Sequence, residues 1–153
     1  MKKTPEMEKL EDFLRSSRVV AGGFMGHDSR DVDEIVASDM HAVEQLGYSL
    51  GQVASRMRQI TDIAKKGLGV CVEVGAGLRG CVDEAMGKVV CPWSHPANFD
   101  KRLTTVTDVE SDEEITWSDL HIHMIAEHGF FEGHGSSMRI EPERLIMLIF
   151  RKS

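Results

Sequence analysis

The sequence predicts an α+β fold in which N-terminal helices precede a small antiparallel β-meander, with a histidine-rich helix packed on the sheet. Apolar residues recur at helical spacing through residues 1–66, and short β-branched stretches separated by glycines begin after Gly67. A chain of 153 residues is long enough for one domain with a substantial core, so we expect a single domain over 1–153. A division into a helical part, 1–66, and a β-rich part with two helices, 67–153, is the alternative.

Three helices are expected in the N-terminal half. The first begins at Thr4-Pro5, a capping residue followed by proline at the first helical position. The second covers residues 28–46, opening at Asp28 or Ser29, and the third covers residues 49–65 behind a Ser-x-x-Gln capping box. The predicted core-facing stripes are Val32, Ile35, Val36, Met40, Val43 and Leu46 on the second helix, and Leu50, Val53, Met57, Ile60 and Ala64 on the third.

Short antiparallel strands joined by glycine turns are predicted after Gly67. These segments alternate in polarity or are rich in β-branched residues, a pattern typical of half-buried strands. The predicted strands are 70–74, 81–84, 87–91, 103–108 and 114–117. The last two form a hairpin around an acidic loop, and a final short helix is expected from Glu141-Pro142 through Ile149.

Charge and hydropathy limit the partners. A net charge of −7 argues against general nucleic-acid binding, because such binding needs Lys and Arg to displace counterions from phosphates. It also argues against an anionic membrane surface. No apolar run approaches the ~20 residues of a membrane-spanning helix, and the N-terminus lacks the apolar segment of a signal peptide. We therefore expect a cytoplasmic protein with no nucleic-acid or membrane partner, and a homo-oligomer remains open.

The cysteines favour the same compartment. Cys71, Cys81 and Cys91 are odd in number and lie in apolar surroundings. This pattern fits reduced thiols better than a disulfide scaffold.

Potential metal ligands are most concentrated between Thr116 and Gly129, where three of the seven histidines fall within eight residues. We expect a short helix there, capped by Thr116 with Asp119 or by Ser118, and ended by Gly129. Upstream, the motif Cys91-Pro-Trp-Ser-His95 places a thiol close to an imidazole. Because thiolate and imidazole are the ligand types that zinc prefers, we predict a zinc site with these ligands: Cys91, His95, His123 and His128.

The spacing Leu120-x2-His123-x4-His128 resembles the helix signature of ββα zinc fingers. The resemblance covers about a quarter of the chain and implies that Leu120 is a core residue and that a hairpin supplies the other ligands. The first pair here is Cys-x3-His, and the span between His95 and His123 is far longer than in a finger. On an ideal helix, His123 and His128 lie ~140° apart, so they converge only if the last turn loosens before Gly129.

A metal-free interpretation competes with this one. Asp119, His123 and Glu127 are spaced by four and form one polar stripe with i,i+4 charge pairs. In that case Cys91 is a small core residue, His95-Pro96 is a turn, and His121 and His128 hydrogen-bond backbone groups.

A glycine-rich segment, Gly75-Ala-Gly-Leu-Arg-Gly80, matches G-x-G-x-x-G, and Val-Glu-Val-Gly-Ala-Gly resembles the first motif of cofactor-dependent methyltransferases. Such motifs bind phosphate only where a helix begins at the glycines. The stretch that follows is β-like, so we expect a tight turn that binds neither NAD nor S-adenosylmethionine.

The leading functional hypothesis is a binding or accessory module stabilised by a zinc ion, since no paired-carboxylate, triad or P-loop pattern appears. A metal-dependent enzyme using the histidine cluster is the first alternative. The two differ in ligand number, because a structural zinc takes four protein ligands and a catalytic one keeps a position for water. The second alternative is a small-molecule or nucleotide-binding protein that uses the turn at Gly75–Gly80.

Overall fold

The structure, a computed structural model, describes residues 4–16, 23–93 and 97–150. It confirms the α+β class: within these residues, α-helices and a four-stranded antiparallel sheet follow one another in the expected order. The elements are α1 (Pro5–Arg15), α2 (Val32–Gln45), α3 (Leu50–Lys65), β1 (Val72–Gly75), β2 (Leu78–Val90), β3 (Asn98–Asp108), β4 (Glu114–Ser118), α4 (Asp119–His123), a π turn (Met124–His128) and α5 (Pro142–Ile149). None of the described helices combines the length and apolar character that a membrane span needs.

Local capping signals placed the starts of two N-terminal helices correctly. Thr4 caps α1, since its side chain accepts a hydrogen bond from the Met7 amide at 3.2 Å. Ser49 and Gln52 form the expected capping box of α3, with reciprocal contacts of 3.1 and 2.8 Å. Such contacts satisfy amides that have no partner within the helix, so the sequence alone can locate them.

The predicted start of α2 is wrong. The helix is capped by Asp31 and begins at Val32, three to four residues later than expected. Asp28 does not cap a helix, because its carboxylate binds the backbone amide, Nε and Nη2 of Arg30 at 2.7–3.1 Å. The carboxylate therefore stabilises a turn ahead of the helix.

The sheet is a meander in the order β1-β2-β3-β4. The predicted strands 81–84 and 87–91 are one continuous strand, β2, with a bulge between Ala85 and Lys88. Gly87, expected to begin a separate strand, instead adopts φ +102° in this bulge. The partner strand β3 likewise begins at Asn98, five residues before the predicted start.

The glycine-rich segment is the β1–β2 hairpin, as predicted. Val72 pairs with Gly80 and Gly75 pairs with Leu78, so only two residues form the turn. Residues 72–90 are all described: strand resumes at Leu78 directly after the turn, and no helix begins at the glycines. The phosphate-binding geometry that the motif would require is therefore missing from this segment.

The expectation of three reduced cysteines is wrong. Cys71 and Cys81 form a disulfide, and only Cys91 is free among them. The Val72–Gly80 pairing places Cys71, the residue just before β1, opposite Cys81 of β2, with their Cα atoms 4.3 Å apart. The cytoplasmic location, which rested partly on free thiols, stays a prediction.

Replacing Cys71 and Cys81 together by serine should lower the free energy of unfolding by about 2–3 kcal/mol, because the bond restricts the unfolded chain. Thermal denaturation with and without dithiothreitol measures the effect. The reductant should lower the melting temperature of the wild type and leave the double variant unchanged. Thiol titration of unreduced, denatured wild type should find one thiol per chain, and a value of three would contradict the pairing.

Two apolar clusters surround the sheet and the histidine-rich helix. The first joins α3 and α5 to the sheet around Trp117, which is fully buried and donates from Nε1 to Thr61 Oγ1 at 2.9 Å. The second joins α1 and α2 to Leu120, Met124 and Cys91. The second cluster therefore brings the end of β2 against the histidine-rich helix.

Candidate metal centre

The histidine-rich helix, Asp119–His128, begins directly where β4 ends. Ser118 is its cap, one of the two that the sequence allowed: its hydroxyl accepts from the His121 amide at 3.1 Å. In return, the Ser118 amide donates to His121 Nδ1 at 2.9 Å, so histidine takes the place that Glu or Gln has in the usual capping box. Gly129 ends the helix in the left-handed conformation, with φ +65°.

The second half of this helix is a π turn, Met124–His128. Hydrogen bonds in a π turn run between residues five apart, so such residues come into line along the axis. His123 and His128 consequently meet, with ring centroids 5.3 Å apart and planes at 78°. The last turn of the helix is therefore wider than an ideal α-helical turn, as the convergence of these two histidines requires, and it ends at Gly129.

Cys91 reaches the two histidines from the end of β2. Its side chain is buried, and its Sγ lies 3.4 Å from His128 Nε2. One ligand atom from each of Cys91, His123 and His128 lies within 4.8 Å of the others, so the group can hold a metal ion. His95, the fourth predicted ligand, falls outside the residues that the structure describes.

Aromatic side chains hold both imidazoles in place. Trp93 stacks on His128 at 4.1 Å between centroids with planes 5° apart, and Phe99 packs against His123 at 4.7 Å. Phe130 meets the Trp93 ring edge-on at 5.4 Å. These contacts limit rotation of the two rings and shield the thiol from solvent.

Burial raises the pKa of the Cys91 thiol, and a hydrogen bond from the Trp93 backbone amide to the sulfur offsets part of the rise. Without a cation the thiol therefore keeps its proton at neutral pH. The same burial makes Cys91 a poor nucleophile, although His128 lies beside it. The Cys91 amide also donates to the Ala97 carbonyl at 3.1 Å, which closes the loop that carries Trp93.

The donor set suits zinc. Thiolate and imidazole bind zinc at about 2.3 and 2.0–2.1 Å, which for tetrahedral angles separates sulfur from nitrogen by about 3.5 Å. The observed separation between Cys91 Sγ and His128 Nε2 is 3.4 Å. Only small side-chain movements are then needed for His123 to complete a three-residue ligand set.

The third histidine of the motif lies elsewhere. His121 Nε2 is 2.5 Å from Glu132 Oε2, on the side of the helix that faces the following loop. Asp119 Oδ2 accepts from Arg102 of β3 at 2.5 Å, and Glu127 is exposed. His123 lies against aromatic rings, so the arrangement differs from a solvated stripe of charge pairs.

Some site residues escaped sequence reasoning. Trp93 lies inside the Cys91–His95 motif, but its side chain is not a metal ligand, so the motif did not predict a role for it. No sequence pattern pointed to Phe99. Glu132 lies in a glycine-rich loop with no periodic pattern around it. Neither a family model, a curated protein nor a solved structure significantly matches this chain.

Proposed function

We propose that this protein is a binding module whose β-rich half is stabilised by a zinc ion held by Cys91, His123 and His128. The observation that carries the proposal is the π turn, because it brings two histidines together beside a buried thiol at zinc-like separations. A π turn is rare and concentrates at functional sites.

Each ligand has a defined role. Cys91 supplies the thiolate after the cation displaces its proton, and the imidazoles of His123 and His128 bind in their neutral form. Cys91 and His128 are 37 residues apart in sequence, so the ion would join the end of β2 to the histidine-rich helix. Cross-linking two distant segments is the action of a structural zinc.

The ligand at the fourth coordination position of the zinc distinguishes a structural site from a catalytic one. His95 belongs to the same short motif as Cys91 and is the proposed fourth ligand, which would close the site. A metal-dependent enzyme would instead keep water there. That second candidate is favoured by a groove of about 450 Å³ against Trp93 and His128, between α1 and α2, which would give a substrate access.

Metal content tests the proposal. Protein reconstituted with zinc and freed of excess metal should hold one zinc per chain by elemental analysis, and Cys91→Ser or His123→Ala should hold less than a tenth of that. His41→Ala is the matched control, since His41 is an exposed histidine of α2 and its loss should leave the content unchanged. Chelation should lower the melting temperature of the wild type, because metal binding is part of folding.

Cobalt substitution reports on the ligand set. Co²⁺ bound to Cys91 should give a thiolate charge-transfer band that is lost in Cys91→Ser. If His95 is the fourth ligand, His95→Ala should weaken Co²⁺ binding at least tenfold; unchanged affinity would favour the enzyme with an open position. A wild-type protein that binds no metal and melts identically with and without chelator would refute the zinc site.

A further inference from the structure

A second site lies on the other side of the histidine-rich helix. A cavity of about 440 Å³ opens between the β2–β3 hairpin and the start of α4, and none of the three described metal-site residues lines it. Its volume is in the range of small-molecule binding sites. Its walls are mainly apolar and come from distant parts of the chain, including Phe24, Val89, Leu103, Leu120 and Met138.

Two buried polar side chains, His121 and Glu132, also line this cavity. Their side chains are 3% and 1% exposed. Because His121 Nδ1 accepts from the Ser118 amide, the neutral imidazole carries its proton on Nε2. Nε2 lies 2.5 Å from Glu132 Oε2, yet neither atom has a partner in hydrogen-bond geometry among the described residues. Buried polar atoms in that condition are uncommon and call for an explanation.

Glu132 is held in a costly conformation. Its φ of +71° lies in the left-handed region, which glycine adopts far more readily. Ser136 Oγ donates to Glu132 Oε1 at 2.5 Å, and Arg139 Nη1 donates to the Glu132 carbonyl oxygen at 2.7 Å. Strained residues held by several contacts cluster at ligand sites. Here the contacts fix a buried carboxylate at the wall of an apolar cavity.

The charges around the cavity favour a neutral ligand. The lining holds three carboxylates, Asp83, Asp100 and Glu132, against two cations, Lys101 and Arg102, so it carries no excess of positive charge to bind an anion. Asp100 is itself paired with Lys88. Arg102 also lines the cavity, but it already pairs with Glu84 and Asp119. The adjacent N–H donor of His121 and carboxylate acceptor of Glu132 match a hydroxyl, which accepts and donates at one atom.

We propose that this cavity binds a small, neutral, mostly apolar molecule that presents one hydroxyl group to His121 Nε2 and Glu132 Oε2. A closed apolar cavity of about 150 Å³ already admits benzene, so a cavity of about 440 Å³ accommodates a substituted ring. The two buried atoms contact each other at 2.5 Å without hydrogen-bond geometry, and the hydroxyl would give each of them a well-aligned partner. A site built this way discriminates strongly against an analogue without the hydroxyl.

Three probes of similar size test this on the full chain: benzyl alcohol, toluene and sodium benzoate. Dissociation constants come from titrations followed by ¹H–¹⁵N NMR. Benzyl alcohol should bind at least tenfold more tightly than either other probe, with the largest shifts at Ser118–His121 and Glu132. Failure of benzyl alcohol to bind, or equal binding of toluene, would overturn the proposal, and tightest binding of benzoate would overturn the neutral ligand class.

Glu132→Gln tests the role of the carboxylate, with Glu127→Gln as the matched control on an exposed glutamate. Glu132→Gln should bring the benzyl alcohol and toluene affinities within about threefold of each other, whereas Glu127→Gln should keep the wild-type ratio. Preserved selectivity in folded Glu132→Gln would contradict the assignment. If that variant does not fold, the proposal is still tested on the wild type by the relative affinities of the three probes and by which residues show NMR shifts. Selectivity should also survive in Cys91→Ser, because the cavity does not depend on the metal centre.

Discussion

Replacing Met57 by aspartate is expected to lower the free energy of unfolding by about 3–5 kcal/mol, a large share of the roughly 5–15 kcal/mol that is typical of a folded protein. Met57 is fully buried on the inner face of α3, within the cluster that joins the helix to the sheet. The variant loses the packing of a long apolar side chain and buries a carboxylate without a partner. Urea denaturation followed by circular dichroism measures the loss.

Met147→Asp is the matched control. Met147 lies on α5 and is 73% exposed, so the same chemical change should alter stability by less than about 0.5 kcal/mol. If Met57→Asp unfolded at the same urea concentration as Met147→Asp, the inner face of α3 would not be core.

The apolar stripe of α3 was predictable because its determinants are local. The capping box fixed the start of the helix, and Val53, Met57, Ile60 and Ala64 are all buried at the predicted spacing. The stripe of α2 was predicted less well. Val36 and Met40 are only half-buried, and Leu46 is 38% exposed. Periodicity identifies the apolar face of a helix, but how much of that face is covered depends on neighbours that are distant in sequence.

Long-range pairing explains the errors in the sheet. A glycine between two β-like stretches predicts a turn, yet pairing with β3 on both sides of Gly87 makes it a bulge within one strand. The pairing of Cys71 with Cys81 likewise follows only from the register of the β1–β2 hairpin. Both features depend on which residues oppose each other across strands, which composition does not specify.

The metal centre was partly predictable. Its ligand types follow from short motifs, but an ideal helix separates His123 from His128, and only the π turn brings them together. The pairing of His121 with Glu132 was beyond sequence reasoning. It depends on a loop whose backbone conformation at Glu132 is unusual and is stabilised from outside by Arg139.

Replacing Arg139 by leucine should be the second strongly destabilising change, at about 3–5 kcal/mol, because it leaves a buried charge without its partner. The Arg139 side chain is 7% exposed and binds both carboxylate oxygens of Asp39, at 2.5 and 2.9 Å. Burial alone would lower the pKa of Arg139, but hydrogen bonds to Asp39 and Glu141 outweigh it and raise the pKa above its ordinary value. The guanidinium thus stays charged, and its loss leaves the buried Asp39 carboxylate without its cationic partner.

Arg144→Leu is the control, since Arg144 is 58% exposed and pairs with Glu113 at the surface. Exposed pairs contribute about 0–1 kcal/mol, so this variant should melt close to the wild type. If Arg139→Leu cost no more than Arg144→Leu, the buried pair would not be a major source of stability. The double variant Asp39→Leu with Arg139→Leu should regain part of the loss, because neither charge is then stranded.

The double variant also separates stability from ligand binding. Because the double variant lacks Arg139, it also lacks the hydrogen bond from Arg139 to the Glu132 carbonyl oxygen. Replacing Asp39 does not restore that hydrogen bond. Because that contact helps to hold Glu132 in its left-handed conformation, the folded double variant should lose the preference for benzyl alcohol over toluene. Restored stability together with unchanged selectivity would instead mean that Ser136 and the loop hold Glu132 in place without Arg139.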